Sequence, residues 1–100
     1  MRRYIGWAKD YGMKVYLGTL LPIEGWRTYA PFREHLRDEF NNWMRGTTEA
    51  DGVIDFDQAL RDPEHPTRLL EEFDSGDHLH PSTLGYQRMA LEVPEELLTR

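Results

Sequence analysis

The chain has 100 residues, of which 39% are hydrophobic and 12% aromatic, and its formal net charge is −6. That length allows one small domain with a thin core, burying roughly 60% of the unfolded chain's surface, and the ordinary apolar content argues against disorder. The acidic balance leaves no basic patch dense enough to bind nucleic acid, the lack of cysteine excludes disulfides and thiolate chemistry, and no apolar run approaches the roughly 18 residues of a membrane span.

Tyr4, Ile5, Ala8 and Tyr11 recur at helical spacing with Trp7 beside them, and Gly12 follows as a C-terminal cap, so the chain opens on a helix. No capping residue precedes Met1, and Met1-Arg2-Arg3-Tyr4 leads into neither the apolar core nor the cleavage site of a signal peptide. The compartment is left undecided. Met13 to Gly18 is a short apolar run that predicts a buried strand. A helix, a glycine and a strand in that order suggest an α/β layer architecture.

Thr19 to Pro31 carries two prolines, Gly25, Trp26 and Tyr29, and reads as a loop leaving the C-terminal end of that strand, where open α/β sheets bind ligands. Trp26 and Tyr29 either line a substrate cleft or cover the core. From Pro31 a helix follows, with Phe32, Leu36, Phe40, Trp43 and Met44 on its apolar face and Arg33, Arg37, Asp38 and Arg45 on a solvated one. His35, on this helix, is not read as a metal ligand.

Gly52 to Phe56 predicts a second strand. Asp55 and Asp57 at its end either hold a divalent cation or act in acid/base chemistry, or else cap the short helix around Ala59. Arg61 to Pro66 is proline-punctuated loop. A last helix runs from Pro81, is interrupted at Pro94, and resumes in the Glu95 to Leu98 tail.

Before that last helix, Asp74-Ser75-Gly76-Asp77-His78-Leu79-His80-Pro81 concentrates carboxylates and imidazoles. Asp77 and His80 are spaced so that one turn brings the carboxylate to Nδ1 of the ring and leaves Nε2 to act as a base. Such a pair needs a nucleophile. Ser75 and Ser82 are the only serines in the sequence; Ser82 and Thr83 suit helix capping.

Asp77-His78-Leu79-His80-Pro81, with Gly85-Tyr86 and Met89-Ala90 beyond, resembles the last sequence block of the SGNH hydrolases, the superfamily of the GDSL esterases and lipases. Three upstream segments agree in order and spacing: Gly18 to Pro22, Asn42 to Arg45, and Asp55-Phe56-Asp57 with Asp62-Pro63. The resemblance implies an α/β fold, the C-terminal portion of a doubly wound, flavodoxin-like parallel sheet, with two strands and three main helices in this chain. It makes His80 the general base and Asp77 the group that orients it, with His78 pointing away, and it needs no cofactor or metal. The Asn42 position matches the family's helix and not its oxyanion asparagine.

The family's Gly-Asp-Ser nucleophile segment and its oxyanion donors have no counterpart in these residues. The expectation is a partial SGNH domain over residues 1–100 that lacks the nucleophile half, its partner being that half or a second copy of the chain, and that, if ordered alone, associates through an open strand edge or a swapped helix. Two functions stay open. One is a serine ester hydrolase acting on a small carboxylic ester, to which this chain supplies the Asp-His pair. The other is a non-catalytic binding or structural module derived from such an enzyme. The resembling branch is often secreted.

Overall fold

The computed structural model describes residues 2–98; Met1, where the sequence begins a helix without a cap, lies outside them. Helix α1 spans Arg2–Asp10, strand β1 Tyr16–Gly18, helix α2 Pro31–Gly46, strand β2 Gly52–Ile54 and helix α3 Phe56–Leu60. A single 3-10 turn at Glu71–Phe73 precedes helices α4, Thr83–Glu92, and α5, Glu95–Leu98. Among the described residues β1 and β2 form one parallel pair, with Tyr16 opposite Gly52, Leu17 opposite Val53 and Gly18 opposite Ile54. Parallel strands need a long crossover, and α2 supplies it. The protein is therefore α/β, and α1, α2 and α4 are its three longer helices.

Local chemistry sets the boundaries. α1 ends in a paired cap, in which Gly12 N–H donates to Lys9 and Met13 N–H to Ala8, with Gly12 at φ 77°. The strands are shorter than their apolar runs. Asp51 Oδ2 accepts the Val15 N–H at 2.6 Å, so β1 is engaged by a side chain before the ladder begins. At the end of β2, Asp55 accepts the Gln58 N–H and caps α3, which draws Phe56 into a helix instead of the strand.

The main core is small: Ile5, Leu17 and Met44 are buried, with Val15, Phe40, Trp43 and Ala50 packed on them. Of the residues that pattern α1, only Ile5 is buried. Tyr4, Trp7 and Tyr11 are exposed, Tyr4 and Trp7 meeting edge to face.

Helix α2 departs most from its sequence pattern. Phe32 and Leu36, expected inside, are 61% and 57% exposed, whereas Arg37 and Asn41 are 8% and 1% exposed. The buried stripe is Arg37, Asn41 and Met44, at i, i+4 and i+7, so the N-terminal part of the helix turns a polar edge inward, while Phe40, Trp43 and Met44 stay on the core.

Asp57 is the cause. This buried carboxylate accepts from Arg37 Nη1 at 2.8 Å, Arg45 Nη2 at 2.7 Å and Arg61 Nη1 at 3.1 Å. Arg45 also holds Asp55 and Arg37 holds Glu34, which makes three guanidiniums and three carboxylates in one neutral network. Desolvating so many charges is costly, and it is offset only when every group is paired. Among the described residues no buried side-chain polar atom lacks a partner. The arginines expected to be solvated thus tie α2 to α3. His35, exposed on α2, pairs with Glu39 at 2.9 Å.

Two outcomes follow in urea unfolding. Asp57→Ala leaves buried guanidinium charge unpaired and should lower stability by about 3–5 kcal/mol. Phe32→Ala, on the exposed part of the same helix, should cost less than about 1 kcal/mol. An apolar-face-in packing of α2 would reverse that order.

Candidate active site

The end of β1 is held from two sides. Asn41 accepts the Leu20 N–H through Oδ1 at 2.8 Å and donates Nδ2–H to the Leu20 carbonyl at 2.9 Å, pairing with that residue as a neighbouring strand would. Thr19 donates its hydroxyl to Asp55 and accepts the Asp57 N–H. Burial works against the Asp55 charge, but Arg45, the Gln58 amide and Thr19 outweigh it and bring its pKa down to about 2. Asp55 and Asp57 are therefore engaged by arginines and by backbone. Among the described residues no group of three His, Cys, Asp or Glu side chains is placed to hold a metal ion.

The Asp74 to Pro81 stretch is a closed turn. Asp74 and Pro81 form an antiparallel bridge, Ser75 N–H donates to the His80 carbonyl, and Ser82 N–H donates to the Phe73 carbonyl. Ser82 caps α4 by accepting the Gly85 N–H, and its own hydroxyl donates to the Glu72 carbonyl at 2.6 Å. The helix thus begins at Thr83, two residues after Pro81. At Gly85 a Cβ would come within 2.7 Å of the Phe73 carbonyl oxygen, so glycine lets α4 lie directly on the turn.

Inside the turn, Asp77 organises its neighbours. Its Oδ1 accepts the backbone N–H of Leu79 at 2.9 Å and of His80 at 2.8 Å, together with the Ser75 hydroxyl. Its Oδ2 is 2.6 Å from His80 Nδ1. The hydrogen bond from His80, then the two amides, holds the Asp77 carboxyl well below the usual carboxylate range. An ionised carboxylate only accepts, so Nδ1 is the donor, and in the neutral ring Nε2 then carries the free lone pair. The His80 side chain is 63% exposed.

The turn contains a second pair that the sequence reading overlooked. Asp74 Oδ2 is 2.6 Å from His78 Nδ1, at i,i+4 spacing, and this spacing was the available signal. His78 therefore points neither into the core nor freely to solvent.

Both serine hydroxyls are engaged: Ser75 donates to Asp77, and Ser82 caps α4 and donates to the Glu72 carbonyl. Asn42 lies on α2 and accepts from Arg45. Trp26 and Tyr29 are half-buried in the loop after β1, Trp26 under the Arg27 guanidinium. Burial, with the Glu34 and Glu24 carboxylates, pushes the Tyr29 phenol up.

Neither aromatic lines the main depression, which is open, mostly apolar and about 690 Å³ in volume. Its wall includes Leu20, Leu21, Ile23, Leu36 and Phe40, and it reaches Leu79 in the turn. Leu36, one of the two apolar residues of α2 that lie outside the core, is thereby accounted for.

Asp77 also fixes the direction of the pH response. A carboxyl whose folded pKa is depressed contributes fully above its unfolded value, about 3.9, and loses that contribution as pH falls through the lower folded value. Carbon-detected NMR should accordingly show no Asp77 titration step around pH 4, and His80→Ala should bring one back.

A family model described as the GDSL-like Lipase/Acylhydrolase family matches residues 1–88. A search of curated proteins found no match.

Proposed function

From the premise that this chain belongs to the GDSL-like lipase/acylhydrolase family, within the SGNH hydrolase superfamily, we propose that it supplies the Asp-His pair of a serine ester hydrolase. The observation that carries this reading is the 2.6 Å contact of Asp77 Oδ2 with His80 Nδ1 inside a turn whose amides fix the carboxylate.

In this role His80 Nε2 takes the hydroxyl proton as a serine attacks the carbonyl carbon of a small carboxylic ester. The imidazolium, stabilised by Asp77, returns that proton to the departing alcohol. A second cycle with water as nucleophile frees the acid and regenerates the serine. The serine comes from a segment other than these residues, in the same polypeptide or in a partner, since both serines present are otherwise engaged. The apolar depression that reaches Leu79 supports an acyl group lying beside His80. Trp26 and Tyr29, half-buried on the neighbouring loop, are the residues to contact the alcohol side.

The engagement of both serines also favours a second reading, a non-catalytic binding or structural module of the same fold. Hydrolysis of p-nitrophenyl acetate separates the two when these residues are combined with a serine-bearing segment of the family. With His80→Ala, kcat should fall about 10³-fold while KM changes little. A rate that survives the substitution would leave only the non-catalytic reading.

A further inference from the structure

We propose that Asp74 and His78 form a positioning pair, which holds the Asp77–His80 turn in its base-ready geometry and fastens it to the loop after β1. The proposal rests on the reading of His80 as the base, and it assigns His78 no contact with the reacting atoms.

The two pairs are built alike. Asp74 Oδ1 accepts the N–H groups of Gly76 and His78 at 2.8 and 3.1 Å while Oδ2 meets His78 Nδ1. Asp77, three residues later, repeats the pattern at i,i+3 spacing, with Oδ1 on the Leu79 and His80 amides and Oδ2 on His80 Nδ1. The spans interleave: Asp74 reaches forward past Asp77 to His78, and Ser75, between Asp74 and Gly76, reaches forward to Asp77. The amides that Asp74 holds, those of Gly76 and His78, flank Asp77 on both sides, so a shift of Asp74 moves the backbone that carries Asp77.

Asp74 is also the more buried of the two, its side chain 10% exposed against 37% for Asp77. The more buried pair is thus the one without the base.

His78 is held in an unfavourable conformation. At φ 64° it is the one non-glycine residue with positive φ among those described, a state that persists only where the surroundings enforce it. One enforcing contact is Gly25. At φ 100°, with no Cβ, Gly25 lies against the imidazole, and a Cβ there would come within 2.7 Å of His78 Cγ. The other side of that loop is anchored by the Glu24 N–H on the Thr67 carbonyl and by the Glu24–Arg68 ion pair. His78 is therefore wedged between its own carboxylate and the backbone beside Trp26, and the position of the catalytic turn relative to the substrate-side loop is set there.

The test reads His80 directly, by side-chain nitrogen NMR of the full chain. In the wild type the His80 Nδ1 proton should resonate far downfield and the ring nitrogens should report one tautomer. His78→Gly accepts the backbone angle and removes the pair together with the ring's contact on Gly25, so it should broaden or abolish that proton signal and move the ring nitrogens toward tautomer averaging. Asp74→Ala should do the same.

His78→Asn tolerates positive φ and keeps a donor for Asp74, so it should restore the signal at least in part. Core amide shifts at Leu17 and Met44 that match the wild type would show that these effects are local. A wild-type His80 signal persisting in both His78→Gly and Asp74→Ala would overturn the proposal. Failure of the esterase reading is distinguishable, because it appears as turnover indifferent to His80→Ala while the NMR differences stand.

Discussion

The Asp57 carboxylate is the constraint on which most of this structure depends. Buried with three arginines on it, it joins the long helix α2 to the short helix α3, while its own N–H is taken by Thr19 at the end of β1. A charge this deeply placed cannot rotate toward solvent, so the arginines must come to it, and α2 turns its Arg37–Asn41–Met44 stripe inward to let them. Asn41 then grips Leu20. The loop that packs on the Asp74 to Pro81 turn is thereby placed by polar contacts more than by the small apolar core.

The same constraint explains what the sequence could and could not reveal. Capped ends were legible because their chemistry is local: Gly12 closing α1, Asp55 opening α3 and Ser82 opening α4 can each be read from a few residues. The order of helices and strands followed from apolar runs and glycines. The orientation of α2 was not legible, because hydrophobic periodicity scores arginine and asparagine as outward-facing. It has no means of seeing an aspartate some 20 residues downstream that reverses the preference. The Arg37, Asn41 and Met44 positions do share helical spacing, so the stripe was present in the sequence as a polar one.

The Asp74 to Pro81 turn divides in the same way. The Asp77 and His80 spacing was readable, as was the membership of their segment in a hydrolase family. The parallel Asp74 and His78 pair escaped notice because a histidine beside a recognised motif invites no separate question. Its significance depends on a backbone angle and on Gly25, which lies over fifty residues earlier in the chain, so only the folded arrangement brings it out. Trp26 and Tyr29 sit on the loop that Gly25 joins to this turn, although the apolar depression is built by other residues.

The closed turn has an entropic consequence. Asp77 and His80 lie three residues apart, and every hydrogen bond that fixes Asp77 comes from within the same short loop. Closing so small a loop requires little ordering of the chain, and the capping of α4 by Ser82 completes it locally. The Asp77–His80 pair is therefore assembled by short-range contacts, and the long-range part of folding has only to place the finished turn against the rest of the chain. A sheet can be rebuilt, lengthened or paired differently around such a unit while the geometry between Asp77 and His80 stays as it is.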